Sequence, residues 1–177
     1  MMTELYTERL LLRPFTADDA TTVQALCNNE NIAKTTLYIP FPYTLEHATT
    51  WIAATIQQFQ TERAYTFAIT KGDAVIGAMT LSHNKAFRQG ELAYWIGEPY
   101  WNKGYGTEAA RAVVAFGFEQ KKLHKICARF FASNPASGKI MEKIGMQQEG
   151  ILRDHVYKNG RYENLVCYSM LAHETHE

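Results

Sequence analysis

Cysteine is scarce: the 177 residues hold three, Cys27, Cys127 and Cys167, far apart and with no C-x-x-C pair. That spacing argues against a zinc ribbon or a disulfide framework and makes a reduced, cytoplasmic compartment the expectation. An excess of one charge is also missing, since 18 Lys plus Arg stand against 18 Asp plus Glu. No overall basic field for nucleic acid is therefore expected. Long apolar runs are absent as well. The longest, Ala112 to Phe118, lies between Arg111 and Glu119 and falls far short of the roughly 20 residues of a membrane helix. Near the start only Leu10 to Leu12 form an apolar block, too short for a signal peptide. There is no Ser/Pro-rich linker, no low-complexity tract and no internal repeat. No G-x-x-x-x-G-K-[ST] run occurs, which excludes a P-loop ATPase. His173 and His176 flank Glu174 without metal-site spacing, so no metal is expected and the tail reads as frayed.

What is present is the composition of an ordinary globular chain, 46% hydrophobic, 12% aromatic and 20% charged. At about 150 residues per domain, one domain spanning 1–177 is expected. The hydrophobic period then switches in order along the chain. Arg9 to Phe15 is β-capable; Thr16, Asp18 and Asp19 open a helix to about Asn28; Pro40 and Pro42 make Tyr38 to Tyr43 a loop. From Thr44 a longer helix presents Ala48, Trp51, Ile52, Thr55, Ile56 and Phe59 at helical spacing. The period falls to two from Tyr65, with strands to about Ile69, over Ala74 to Leu81 and over Glu91 to Gly97. A helix from Gly106 to about Lys121, a strand Lys125 to Phe131 and a short helix capped by Asn134-Pro135 and ended by Gly145 follow. Strands Gly150 to Tyr157 and Tyr162 to Leu171 close the chain, and Asn159-Gly160 between them is a hairpin signal. The expected fold class is mixed α/β, in the order β-α-α-β-β-β-α-β-α-β-β.

The chemistry concentrates in Trp95-Ile96-Gly97-Glu98-Pro99-Tyr100-Trp101-Asn102-Lys103-Gly104-Tyr105-Gly106-Thr107-Glu108-Ala109. A strand runs through an aromatic loop into two glycines that open a helix, so unpaired backbone N–H groups converge at its positive end, as a phosphate site requires. Glycine permits positive φ and close approach to the backbone. The same two glycines also fit a plain strand-to-helix turn. A dinucleotide fingerprint, Gly104-x-Gly106-x-x-Ala109, fits less well: the Pro99 to Lys103 loop intervenes and no carboxylate stands near Ser133.

At this segment the chain resembles the GNAT superfamily of acetyl-CoA-dependent N-acetyltransferases, in its RimJ/RimL-type branch of ribosomal-protein N-terminal enzymes. The resemblance rests on Thr7-Glu8-Arg9-Leu10-Leu11-Leu12-Arg13-Pro14, Val75-Ile76-Gly77, Tyr100 to Ala109, Asn134-Pro135-Ala136-Ser137 with Glu142-Lys143-Ile144-Gly145-Met146, and Glu149-Gly150-Ile151-Leu152-Arg153. It departs from the family at Trp101, where Gln or Arg is frequent, and at Asn164, where many relatives carry Asp. It implies a GNAT fold with splayed central strands, here Glu91 to Gly97 and Lys125 to Phe131. The pantetheine arm of acetyl-CoA would pair with backbone around Trp95, Ile96 and Gly97, and its pyrophosphate would sit on Asn102, Lys103, Gly104, Tyr105, Gly106 and Thr107. Asn134 would lie beside the pantetheine and Ser137 near the sulfur, as proton donor to the thiolate. Read as residues alone, Asn134 is also an N-cap and Ser137 a polar helix start.

The acceptor implied is a primary amine, foremost the α-amine of a protein. Neutralising an α-amine at pH 7 costs roughly 1 kcal/mol and a lysine roughly 4.6 kcal/mol, so the former needs little help. Glu91 is the first choice of base, with a solubilising edge charge as its other reading; His83 and His155 rank below it. Lys103, Arg111, Lys139 and Lys143 are candidate phosphate contacts or solvated charges. Tyr38, Phe41, Tyr43 and Trp51 either wall an acceptor groove or pack the N-terminal helices. A polyamine or aminoglycoside acceptor is the nearer alternative; a non-catalytic acyl-CoA or nucleotide-binding module is the more distant one. An open sheet edge and the C-terminal hairpin are compatible with a homodimer.

Overall fold

The computed structural model describes residues 3–176. Its strands are β1 Leu5–Tyr6, β2 Leu11–Pro14, β3 Ala64–Lys71, β4 Ala74–Ser82, β5 Gln89–Ile96, β6 Lys125–Phe131, β7 Gln147–Lys158 and β8 Arg161–Leu171. Its helices are α1 Ala20–Cys27, α2 Glu30–Thr35, α3 Leu45–Gln60, α4 Tyr105–Glu119 and α5 Pro135–Lys143. The strands form one sheet in the order β1-β2-β3-β4-β5-β6-β8-β7. Every neighbouring pair is antiparallel except β5 and β6, which are parallel. Two elements exceed the expected order, β1 and α2, because two residues of strand and six of helix carry too little periodicity to be seen in sequence.

Each face of the sheet buries a helix layer. On one face Ala109, Val113 and Phe116 of α4 and Met141 of α5 pack on Phe67, Ile76, Leu81 and Ile126. On the other, Val23 and Cys27 of α1, Ile32 of α2, and Ala48 and Ile52 of α3 pack on Ala68, Ala78 and Trp95. Burial of each large side chain stabilises the fold by about 1.5–3 kcal/mol. The Val75-Ile76-Gly77 motif has a packing cause: a Cβ on Gly77 would lie 2.5 Å from the carbonyl oxygen of Trp95. Helix α3 starts as its sequence dictates, with the Thr44 hydroxyl accepting from the His47 amide and His47 Nδ1 accepting from the Thr44 amide.

The turn Asn159-Gly160 has positive φ at both residues, 54° and 77°, as a type I′ hairpin requires. Strand β7 begins at Gln147, earlier than the alternation indicates, and is irregular between Leu152 and Val156. There Asn164 Oδ1 accepts from the Asp154 amide at 2.7 Å. Asn164 therefore braces an irregular strand. The tail is not frayed as far as it is described: Ala172–His176 is a 3-10 helix, and Glu174 accepts from the Leu171 amide at 2.7 Å.

Candidate active site

Strand β5 ends at Ile96 and leads through the 3-10 turn Glu98–Tyr100 to Gly104, the N-cap of α4. Asn102 and Gly104 both have positive φ, 59° and 79°, so the chain turns sharply just before the helix. Gly104 has no side chain to cap the helix, and the amides of Asn102 to Thr107 have no hydrogen-bond partner among the described residues. Bare donors at the positive end of a 15-residue helix favour an anion.

The turn is clamped from the N-terminal segment. Glu108 accepts from the Thr7 hydroxyl at 2.6 Å, the Arg9 amide at 2.8 Å and Arg9 Nε at 2.6 Å. Arg9 Nη1 donates to the Lys103 carbonyl at 2.9 Å, and its guanidinium lies 4.7 Å from the centre of the Tyr105 ring. Burial pushes the Glu108 carboxyl up, but the Thr7 and Arg9 donors together hold it below its usual value. This network gives the N-terminal Thr7-Glu8-Arg9 motif its physical meaning. Trp101 adds a tie of its own, because its indole Nε1 donates to the Ile96 carbonyl at 2.7 Å. The residue that replaces the family's Gln or Arg thus fastens the turn to the end of β5. A Cβ on Gly106 would meet the end of the Ile140 side chain, Cδ1, at 3.0 Å, so that side chain would have to give slightly.

The sheet forks beside this turn. The parallel ladder of β5 and β6 runs from Gln89↔Lys125 to Leu92↔Ala128 and stops. Beyond it β5 continues to Ile96 on β4, while β6 continues to Phe131 on β8. The Gly97 amide donates to the Ile76 carbonyl at 2.8 Å. Alternation in an antiparallel ladder then turns the backbone groups of Trp95 and Ala93 toward β4 as well. The groups facing the fork are those of Tyr94 and Ile96, not of Trp95 and Gly97. Of the backbone around Trp95, Ile96 and Gly97 that the resemblance implied, only Ile96 faces the fork; the cause is register, which a lone sequence does not reveal. The Ile96 carbonyl is already taken by Trp101, which leaves the amides of Tyr94 and Ile96 and the Tyr94 carbonyl.

A cavity of about 920 Å³ runs through the fork, with Tyr94, Ser137 and Met141 on the α5 side and Trp51, Glu91 and Arg129 on the α3 side. Ser137 Oγ lies 3.1 Å from Asn134 Nδ2, which donates to it, and the Tyr94 hydroxyl donates to the Ser137 carbonyl at 3.2 Å. Asn134 is the N-cap residue of α5 by position, but its side chain makes no cap bond; it holds the serine instead. Gly138 lets the helix settle there, because a Cβ would lie 2.6 Å from Phe130. Burial pushes the Tyr94 hydroxyl up to about 12, so it stays protonated at neutral pH.

Glu91 receives Arg129 Nε at 2.8 Å and Nη2 at 3.1 Å, a bidentate pair across the two strands. The two histidines ranked below Glu91 do not reach the cavity. His83 Nδ1 is 3.3 Å from the Tyr65 hydroxyl in a separate groove, and His155 is exposed on β7. Lys103 Nζ donates to the Pro99 carbonyl and Arg111 Nη2 to the Lys143 carbonyl, each at 2.9 Å. The aromatic set divides: Tyr43, though buried in the core, lines the cavity with Trp51 and Tyr38, and Phe41 is exposed outside it. Sequence reasoning passed over Tyr94, Arg129, Glu46 and His47, all of which line the cavity. Arg129 carried a signal, as a charge inside the otherwise apolar strand Ile126 to Phe131.

A family profile described as the acetyltransferase (GNAT) domain matches residues 9–147. The chain belongs to that family and is an acetyl-CoA-dependent N-acetyltransferase. It is 30% identical over 173 residues to an uncharacterized N-acetyltransferase of Bacillus subtilis, covering 94% of this chain and 96% of that one. It is 22% identical over 150 residues to the ribosomal-protein-serine acetyltransferase of Escherichia coli, covering 84% of each. Among solved structures, RimL, a ribosomal L7/L12 α-N-protein acetyltransferase in complex with coenzyme A, matches with a TM-score of 0.90. That match covers 96% of this chain and 98% of the other at 15% identity, and is a likeness of fold. No helix among the described residues is long and apolar enough to cross a membrane.

Proposed function

We propose that residues 1–177 work as one domain that acetylates the N-terminal α-amine of a protein, with acetyl-CoA and the acceptor bound together and the amine attacking directly. The observation that carries this reading is the continuity of the site: a turn of bare amides, a fork with open backbone groups and a cavity that emerges on the α3 face. Acetyl-CoA supplies the activated acyl group as a thioester. Its pyrophosphate fits the amides of Asn102, Lys103, Gly104, Tyr105, Gly106 and Thr107, and its pantetheine fits the open edge at Tyr94 and Ile96, with Asn134 alongside.

The reacting nitrogen arrives from the α3 side. Its lone pair forms the new bond to the acyl carbon as the carbon–sulfur bond breaks. An amide turned into the fork, that of Tyr94, is aimed where the acyl oxygen gains negative charge. Ser137, held by Asn134, gives its proton to the departing thiolate and regains one from water, and Glu91 takes the proton released by nitrogen, directly or through water, and returns it to solvent. An α-amine has a reference pKa near 7.7–8.0, so this modest base suffices. The names of the Escherichia coli relative and of RimL support a protein acceptor, and Tyr38, 91% exposed at the cavity mouth, offers an aromatic surface to a polypeptide.

A thiol-release assay with acetyl-CoA tests the reading, using peptides that begin with Ala or Ser, lysine peptides, spermidine and an aminoglycoside. Turnover should be highest with the free α-amines. Preference for spermidine or the aminoglycoside would replace the proposal with a small-molecule acceptor.

A further inference from the structure

The pair Glu91–Arg129 stands where the two parallel strands part. Arg129 is the first residue of β6 beyond the last parallel pair, Leu92↔Ala128, and both side chains line the cavity. Glu91 engages two of the three guanidinium nitrogens, Nε and Nη2. The third, Nη1, has no hydrogen-bond partner among the described residues. A guanidinium is planar, so fixing two nitrogens also fixes the direction of the third. The Cys127 and Cys167 thiols, on the same strand and on its antiparallel neighbour β8, offer no strong competing acceptor.

From this arrangement we infer that Arg129 is the residue that selects amines bearing a carbonyl on the adjacent carbon, with Glu91 as the group that positions it. The inference rests on the α-amine reading and deepens it. A carboxylate beside a guanidinium matches an amine beside a carbonyl. The nitrogen meets Glu91, and the carbonyl oxygen accepts from Arg129 Nη1. A polyamine has no acceptor for Nη1 and brings further positive charge toward the arginine. Among the described residues the only other carboxylate lining the cavity is Glu46, next to His47, and the two carboxylates form no acidic row there to hold a polycation.

The test compares acceptors that differ by that carbonyl: an alanine-initiated peptide, alaninamide and isopropylamine, each with acetyl-CoA and the full chain. Wild type should favour the two carbonyl-bearing amines. Arg129→Gln should raise KM for both by about tenfold or more, the scale of one charge-assisted hydrogen bond. It should leave the CoA-induced melting shift unchanged, and isopropylamine, which has no carbonyl to lose, should be affected less than either carbonyl-bearing amine. Arg129→Lys keeps charge and fold but loses the fixed third nitrogen, so it should show the same KM change in smaller measure. Glu91→Gln should raise the same KM values, and if it also takes the proton the acid limb of its pH profile should move. Acetylation of alaninamide but not the peptide, with the same dependence on Arg129, would support the inference while overturning the protein-acceptor reading. Equal change for isopropylamine and the peptide in both arginine variants, or no change in either, would overturn the inference.

Discussion

The two ends of the active site are built in opposite ways. The end proposed for the cofactor is nearly continuous in sequence, Tyr94 to Glu108, and offers mainly backbone: amides at a glycine turn and an open strand edge. The end proposed for the acceptor is assembled from α3, the chain between α2 and α3, β5 and β6, and offers side chains: Tyr38, Trp51, Glu91 and Arg129. Backbone recognition suits a ligand that is the same in every turnover. Side-chain recognition suits the ligand that distinguishes one enzyme from another. Substitutions should therefore divide into those that disturb coenzyme A and those that disturb only the amine.

The largest effect should come from Gly106→Glu. A carboxylate placed among the bare amides competes for the anion site, and the added Cβ presses on Ile140. The melting shift with coenzyme A should vanish, whatever the acceptor; a retained shift would move the phosphate site elsewhere. Ser137→Ala comes next, with turnover falling about 100-fold, the lower range for a positioned proton donor, and coenzyme A affinity kept. Unchanged turnover would leave the serine a structural residue.

Trp101→Phe should be milder. It leaves the Ile96 carbonyl without its donor, a loss of about 1 kcal/mol, and should weaken coenzyme A binding a few-fold while KM for the amine stays constant. Tyr38→Ala should do the reverse, raising KM for the peptide and leaving coenzyme A binding alone. A change in both constants from either variant would blur the division between the two ends.

Away from both ends, Glu62 is paired with Lys121 and Lys85, each at 2.9 Å, and these cations hold its carboxyl down at about 2 from an ordinary 4.5. A lowered folded-state value means that this stabilisation is complete above 4.5 and is lost as the pH falls toward about 2. Glu62→Gln should lower the melting temperature slightly at pH 7, with the gap to wild type closing on acidification, and should leave both substrate constants untouched.

The same division explains what a sequence can show. Gly104, the Asn134-Pro135 helix start and the Asn159-Gly160 turn act on their own neighbours, so the expected helix starts, the hairpin and the glycine turn before α4 are where the structure has them. Helix α2 escaped notice because its cause is partly tertiary: Asn29 Oδ1 accepts from the Asn31 and Ile32 amides, while the side-chain amides of Asn29 and Asn31 reach Glu98. The fork itself was implied by family likeness, but which backbone groups face it depends on the β4–β5 register. Arg129 meets Glu91 across 38 positions of chain, a distance no local pattern spans.

The central claim is that the bare amides before α4 hold the coenzyme's diphosphate while the fork presents its acyl end to the amine. A crystal structure with coenzyme A tests it most directly. The account places the diphosphate oxygens within hydrogen-bond distance of the amides between Asn102 and Thr107, with the thiol in the fork near Ser137 and Tyr94. Coenzyme A bound elsewhere, with those amides facing solvent, would contradict it.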